Sequence, residues 1–193
     1  MSTSSPSPPR ARERLGELFV KVDTFFGRTA ARFPGPSGVT CHAGCTDCCR
    51  RFSVTAVEAE VIAEGLASLP PEARERLAVR AERGDPEVCP ALEPDGRCAV
   101  YAFRPVICRT HGLPIRFADP AGEPGVAPRR SLPLVDTCPR NFGGRDLAAL
   151  PADAILDQGT LSLVLGAIDA ARADEAGRSR GERVALAALL ARS

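Results

Sequence analysis

The stretch Cys41-His42-Ala43-Gly44-Cys45-Thr46-Asp47-Cys48-Cys49 reads C-x3-C-x2-C-C, and it decides how the rest of the chain is understood. It holds four of the eight cysteines; Cys89, Cys98, Cys108 and Cys138 are spread further along. Thiols crowded this way oxidise and scramble readily when left free. A chain that keeps them together uses them as metal ligands. Zinc and iron–sulfur clusters both accept four cysteines, and eight thiolates divide into two tetrahedral sites. Spacing alone does not choose between the metals.

Two backbone geometries are open for the run. On a helix, positions 41, 45, 48 and 49 fall at i, i+4, i+7 and i+8, on one face. As a loop, the same spacing wraps an ion or a cubane cluster, with Gly44 permitting the tight turn. C-x3-C-x2-C is also the cluster spacing of radical S-adenosylmethionine enzymes, but those need a repeated βα barrel, and no such alternation is present.

Metal or disulfide is a question of compartment. Residues 1–10 (MSTSSPSPPR) contain no apolar h-region, and nothing later reaches the roughly 18 unbroken apolar residues of a membrane span. A cytosolic location is therefore expected, where thiols stay reduced. Disulfide frameworks belong mainly to short secreted chains, and adjacent Cys48 and Cys49 cannot easily close on each other within ordinary disulfide geometry.

At 193 residues, 44% hydrophobic and 25% charged, the chain is long enough to bury a core and has an ordinary globular composition. A net charge of +1 makes no case for nucleic acid or an anionic membrane as partner. Lys21 is the sole lysine, a bias that GC-rich bacterial coding explains. Coding bias does not explain placement: Arg50, Arg51, Arg97, Arg109 and Arg140 all stand within two residues of a cysteine. Four thiolates on one divalent ion leave a charge of about 2−, which guanidinium groups would neutralise and hydrogen-bond.

The expected fold is mostly α: a small helical domain around an irregular, cysteine-rich, metal-bound centre with one or two short β-hairpins. Residues 1–9 read as a disordered tail and 10–193 as a single domain, with its motif core over 41–142. Leu15, Leu18, Phe19, Val22, Phe25, Phe26 and Phe33 fall at helical spacing, predicting a helix over 10–32. Thr55-Ala56-Val57-Glu58 is a capping-box signature opening a second helix to about Leu69. Pro70-Pro71-Glu72 starts a third, ending near Gly84. Leu161, Val164, Leu165 and Ile168 mark one face of a C-terminal helix, with a short helix after Gly181. In the centre, the Pro94-Asp95-Gly96 turn sets Cys89 and Cys98 across a hairpin, and Leu113–Phe117 and Leu132–Val135 pair as short strands.

The run CHAGCTDCCR, then Cys89-Pro90, DGRCAVYAFRPVICRTHGLP and CPRNF together resemble the YkgJ-type cysteine-cluster family. That family is also called the CxxCxxCC, or zinc- or iron-chelating, domain. The likeness spans about residues 41–142 and departs from the family name at the first gap, where three residues rather than two separate Cys41 from Cys45. The resemblance implies metal chelation by the cysteines. Some larger proteins with a similar cluster are flagellin lysine methylases, so it also admits an enzyme.

The metal-ligand candidates are thus Cys41, Cys45, Cys48, Cys49, Cys89, Cys98, Cys108 and Cys138, binding zinc or iron, mononuclear or as an iron–sulfur cluster. His111 follows Cys108 by three residues and is the histidine better placed to ligate or act as a base; His42 is a solvated neighbour. Arg109 and His111 are the candidate functional side chains, lining an opening beside the metal that would orient a small anion or peptide carboxylate. The competing reading is scaffolding, with Arg104 paired to a carboxylate. Asp47 and Asp136 are candidate acceptors near the ligands, or simple turn residues. Three functions stay open: a metal-binding module, an iron–sulfur or iron-dependent enzyme modifying a peptide or protein side chain, and a structural zinc adaptor. The expected partners are a metal ion and a peptide or protein.

Overall fold

A computed structural model describes residues 10–117 and 134–192. The expected N-terminal tail and positions 132 and 133 of the second expected strand lie outside those residues. The protein is mostly α, with six α-helices among the described residues: α1 (Arg10–Arg32), α2 (Ala56–Ala67), α3 (Pro71–Arg83), α4 (Val106–Thr110), α5 (Gln158–Ala176) and α6 (Leu186–Leu190). Five short strands complete it: β1 (Ser53–Thr55), β2 (Ile115–Phe117), β3 (Leu134–Asp136), β4 (Leu156–Asp157) and β5 (Arg183–Ala185).

Local chemistry accounts for the helix boundaries. α1 buries Ala11, Leu15, Leu18 and Val22 along one stripe, the spacing expected of a helix with one apolar face. α2 opens on the complete capping box: Thr55 Oγ1 accepts from the Glu58 amide, and the Glu58 carboxylate accepts from the Thr55 amide at 3.0 Å. α3 starts at Pro71, whose missing N–H costs nothing in a first turn, and carries Arg80 and Arg83 in its last. α5 is capped by Asp157, which accepts from Thr160 N, and ends at Gly177 in the left-handed conformation.

Two buried clusters carry most of the packing. One joins α1 (Leu15, Leu18, Val22) to Val57, Val106, Leu161 and Ile168. The other joins α2 and α3 (Ile62, Leu66, Leu77) to Leu186 and Leu190 of α6 and to Cys89, Ala91 and Val100 of the central segment. Val164 departs from the expected apolar face of α5, being 42% exposed while Leu161 and Ile168 are buried.

The expected pairing of the central strands is present: β2 runs antiparallel to β3, with Ile115 opposite Asp136 and Phe117 opposite Leu134. Two pairings were not foreseen. β4 adds to β2 in parallel, and β1 pairs antiparallel with β5, Val54 opposite Val184. β1 thereby anchors the segment that leaves the cysteine run to the far end of the chain.

Candidate metal centre

The C-x3-C-x2-C-C run folds as a loop of tight turns, not as a helix. Cys45 N donates to His42 O (3.1 Å) and Cys49 N to Thr46 O (2.9 Å). The loop then docks on the central segment: Cys89 N donates to Cys49 O (3.0 Å), and Arg50 bridges Val88. Cys89 and Cys98 lie on the two arms of a hairpin closed by Glu93 N to Arg97 O (2.8 Å) and Ala99 N to Ala91 O (2.8 Å). The tips of loop and hairpin touch so closely that a Cβ on Gly96 would lie 3.1 Å from Gly44 Cα. Both glycines have positive φ, and at Gly96 the close approach leaves little room for a side chain as well.

Asn141 ties the other end of the loop. It is 3% exposed, and all four hydrogen-bonding capacities of its amide are used. Its Oδ1 accepts from Thr40 N (3.0 Å) and Thr40 Oγ1 (2.9 Å). Its Nδ2 donates to Gly112 O (2.7 Å) and to the Cys41 sulfur (3.3 Å). Its own N–H donates to Cys138 O (2.8 Å), so one residue holds Cys41 and Cys138 together. The next residue, Phe142, has a φ of 55°, and its ring is buried 5.8 Å from that of Phe33. At Gly112 (φ +94°) a Cβ would lie 2.6 Å from the Cys41 sulfur. The sulfur occupies the space that a side chain there would need.

None of the eight cysteines is in a disulfide, and their thiols are gathered closely enough to perturb one another. Burial pushes the Cys89 and Cys98 thiols up, and the Cys108 thiol up to about 12, with Cys89 and Cys98 adding to the last by repulsion. Cys108 is nonetheless an exposed residue. Burial likewise raises Cys41, partly offset by the Asn141 hydrogen bond. The vicinal pair splits: Cys48 donates its S–H to Cys49, which lowers Cys49 and raises Cys48. Among the described residues no three His, Cys, Asp or Glu side chains already converge as a ligand set. The donors are nonetheless of the right kind, soft sulfurs crowded at a cost that ligation to zinc or iron would relieve.

The arginines near the cysteines serve other partners. Arg109, with its side chain 6% exposed, pairs with Asp23 of α1, stacks 4.1 Å over the Phe19 ring and donates to Arg104 O (2.8 Å). Arg104 pairs with the same carboxylate (3.1 Å). Arg51 donates to four carbonyls, those of Arg80, Ala81, Asp85 and Val88. Arg140 pairs with Asp47, and Arg97 reaches Asp95 at 3.9 Å. The expectation that guanidinium groups hydrogen-bond the sulfurs is thereby corrected: carboxylates and carbonyls offer them stronger acceptors than thiols do. Asp136 accepts from Thr137 N, as a turn residue does. His42 Nδ1 lies 2.9 Å from Thr40 O at the exposed surface.

His111 ends α4 and lines a groove of about 560 Å³ with Ile107, Thr110, Phe117, Leu161 and, at one wall, Cys138. His111 is exposed, yet partial burial of its ring pushes its pKa below the ordinary range, in the direction of the neutral form. Arg109 does not share the groove with it. Sequence reasoning missed Asn141 and Asp23 altogether: neither sits in a spacing pattern, and only the fold brings Asn141 back to Cys41, a hundred residues earlier.

Residues 40–121 match the model of a family named CxxCxxCC, described as "Putative zinc- or iron-chelating domain". The match holds seven of the eight cysteines and leaves Cys138 and Asn141 beyond its end. No curated protein and no solved structure matches the chain.

Proposed function

Taking residues 40–121 as a member of the CxxCxxCC family, we propose that this protein is a metal-binding module holding zinc or iron, as single ions or an iron–sulfur cluster, through its eight cysteines in a reducing compartment. One observation carries the reading. Backbone hydrogen bonds and one asparagine tie the 41–49 loop to the 89–98 hairpin and to the 138–142 turn, and the Cys108 thiol of α4 lies near enough to those of the hairpin to be raised by them. Bringing thiols this close without oxidising them is unfavourable unless a cation compensates. When bound, zinc would cross-link the segments, and iron–sulfur clusters would add electron transfer.

Elemental analysis of protein purified without oxygen tests this directly. The expected result is at least one equivalent of zinc in colourless protein, or iron with sulfide in brown protein. Finding neither metal overturns it.

The groove beside Cys138 favours a second reading, an enzyme acting on a peptide or protein side chain. The neutral His111 imidazole stands on its wall as a candidate base. His111→Ala is expected to retain fold and metal while abolishing binding or turnover of whatever occupies the groove. Loss of a full metal equivalent would make His111 a ligand instead.

A further inference from the structure

We infer that the eight cysteines form two unequal metal sites: an outer, exchangeable one of Cys41, Cys45, Cys48 and Cys138, and an inner, inert one of Cys49, Cys89, Cys98 and Cys108. This rests on the reading that the cysteines hold metal, and goes beyond it by assigning each thiol and a different lifetime to each ion.

The inner set is defined by packing. Cys89 is part of the buried cluster between α2, α3 and α6, and Cys49 and Cys98 pack against that same cluster. The bond from Cys89 N to Cys49 O sets the first two side by side, and the Leu92–Cys98 bridge brings the third back along the hairpin. The Cys108 thiol, on α4, is repelled most by Cys89 and Cys98 and less by Cys48, which stands between the two sets.

The outer set is defined by clamps. Asn141 holds Cys41 through its side chain and Cys138 through its backbone. The Arg140–Asp47 ion pair pulls the residue before Cys48 against the one two places after Cys138. The Arg140 guanidinium also senses Cys45 and Cys138. Neither Cys41 nor Cys48 joins the apolar cluster that holds Cys49, Cys89 and Cys98, and Cys41 is exposed. The neighbours Cys48 and Cys49 therefore belong to different sites and stand where the two meet.

Each site takes one divalent ion by the same balanced step: four S–H bonds break, four metal–sulfur bonds form and four protons leave to solvent. Their release differs. Water and a competing chelator reach the exposed Cys41 directly, whereas an ion held by the buried Cys89 leaves only when the hairpin lifts from the core, even though Cys108 of the same set is itself exposed. The outer ion also adjoins the groove that Cys138 and His111 line, so it is the one a partner could take or address.

The test is zinc release from full-length protein purified anaerobically from zinc-supplemented cells, followed with a colorimetric chelator, alongside the zinc content of single Cys→Ser variants. Two equivalents are expected, leaving in two phases separated by about tenfold or more in rate, a barrier difference of ~1.4 kcal/mol. Cys41→Ser and Cys138→Ser should each remove the fast equivalent and leave the slow one. Cys89→Ser and Cys98→Ser should remove the slow one; where these fail to fold, the exposed-site variants and a sulfur count of four per zinc by X-ray absorption still decide. One equivalent lost alike in every variant, a single release phase, or loss in another grouping overturns the partition. No metal at all overturns the underlying reading instead.

Discussion

Asn141 shows what a single amide does when all its hydrogen bonds are committed. Asn141→Ala removes partners from Thr40 N, Gly112 O and the Cys41 sulfur at once, inside a buried site. The expected loss is about 2–3 kcal/mol in denaturant unfolding, the range for stranded buried polar groups. It should be accompanied by faster release of the metal bound at Cys41. The ion pair between Asp23 and Arg109 behaves differently. Asp23→Asn leaves a guanidinium buried without its counter-charge, but the aspartate side chain is 40% exposed, so water shares the work. About 2 kcal/mol is expected, below the full penalty of a broken buried pair, with metal content unchanged. The cysteines themselves stood out in the sequence as candidate ligands because of their density. The roles of Arg109 and Asn141 were not, since each depends on a partner that only the tertiary structure supplies.

Among the elements, the helices were the legible part. α1, α2 and α3 begin where apolar period, capping box and N-terminal proline place them, because those signals are local. The capping box does more than start α2. Glu58 Oε1 also accepts from Val106 N at 2.9 Å, so the carboxylate that caps one helix fixes the first turn of α4, which carries Cys108. Thr55→Ala is expected to cost about 1–2 kcal/mol by thermal unfolding, as lost caps do. Glu58→Gln, retaining shape and some acceptors, should cost less than Glu58→Ala. The pairings of β1 with β5 and of β4 with β2 escaped the sequence reading for a plain reason. Strands of two or three residues carry too few positions for a period to show, and their partners lie far along the chain.

At the scale of the whole molecule, metal removal should separate two kinds of order. The helices pack through the two apolar clusters, so chelation is expected to leave much of the helical circular dichroism. The 41–50 loop and the 138–142 turn are held mainly by turn hydrogen bonds, and the tip of the 89–98 hairpin extends beyond the buried Cys89 and Ala91, so amides in all three should lose hydrogen-exchange protection. Unchanged exchange in all three segments after complete demetallation is the outcome that contradicts this. β1 follows the cysteine run directly, yet its partner β5 lies some 130 residues further along, and Leu186 and Leu190 of α6 complete the cluster that covers Cys89. During synthesis, then, all eight cysteines are made before the α6 residues that cover Cys89. Until residues 183–190 arrive the cluster over Cys89 is incomplete, and an ion offered then would meet that sulfur without prising apart a finished core.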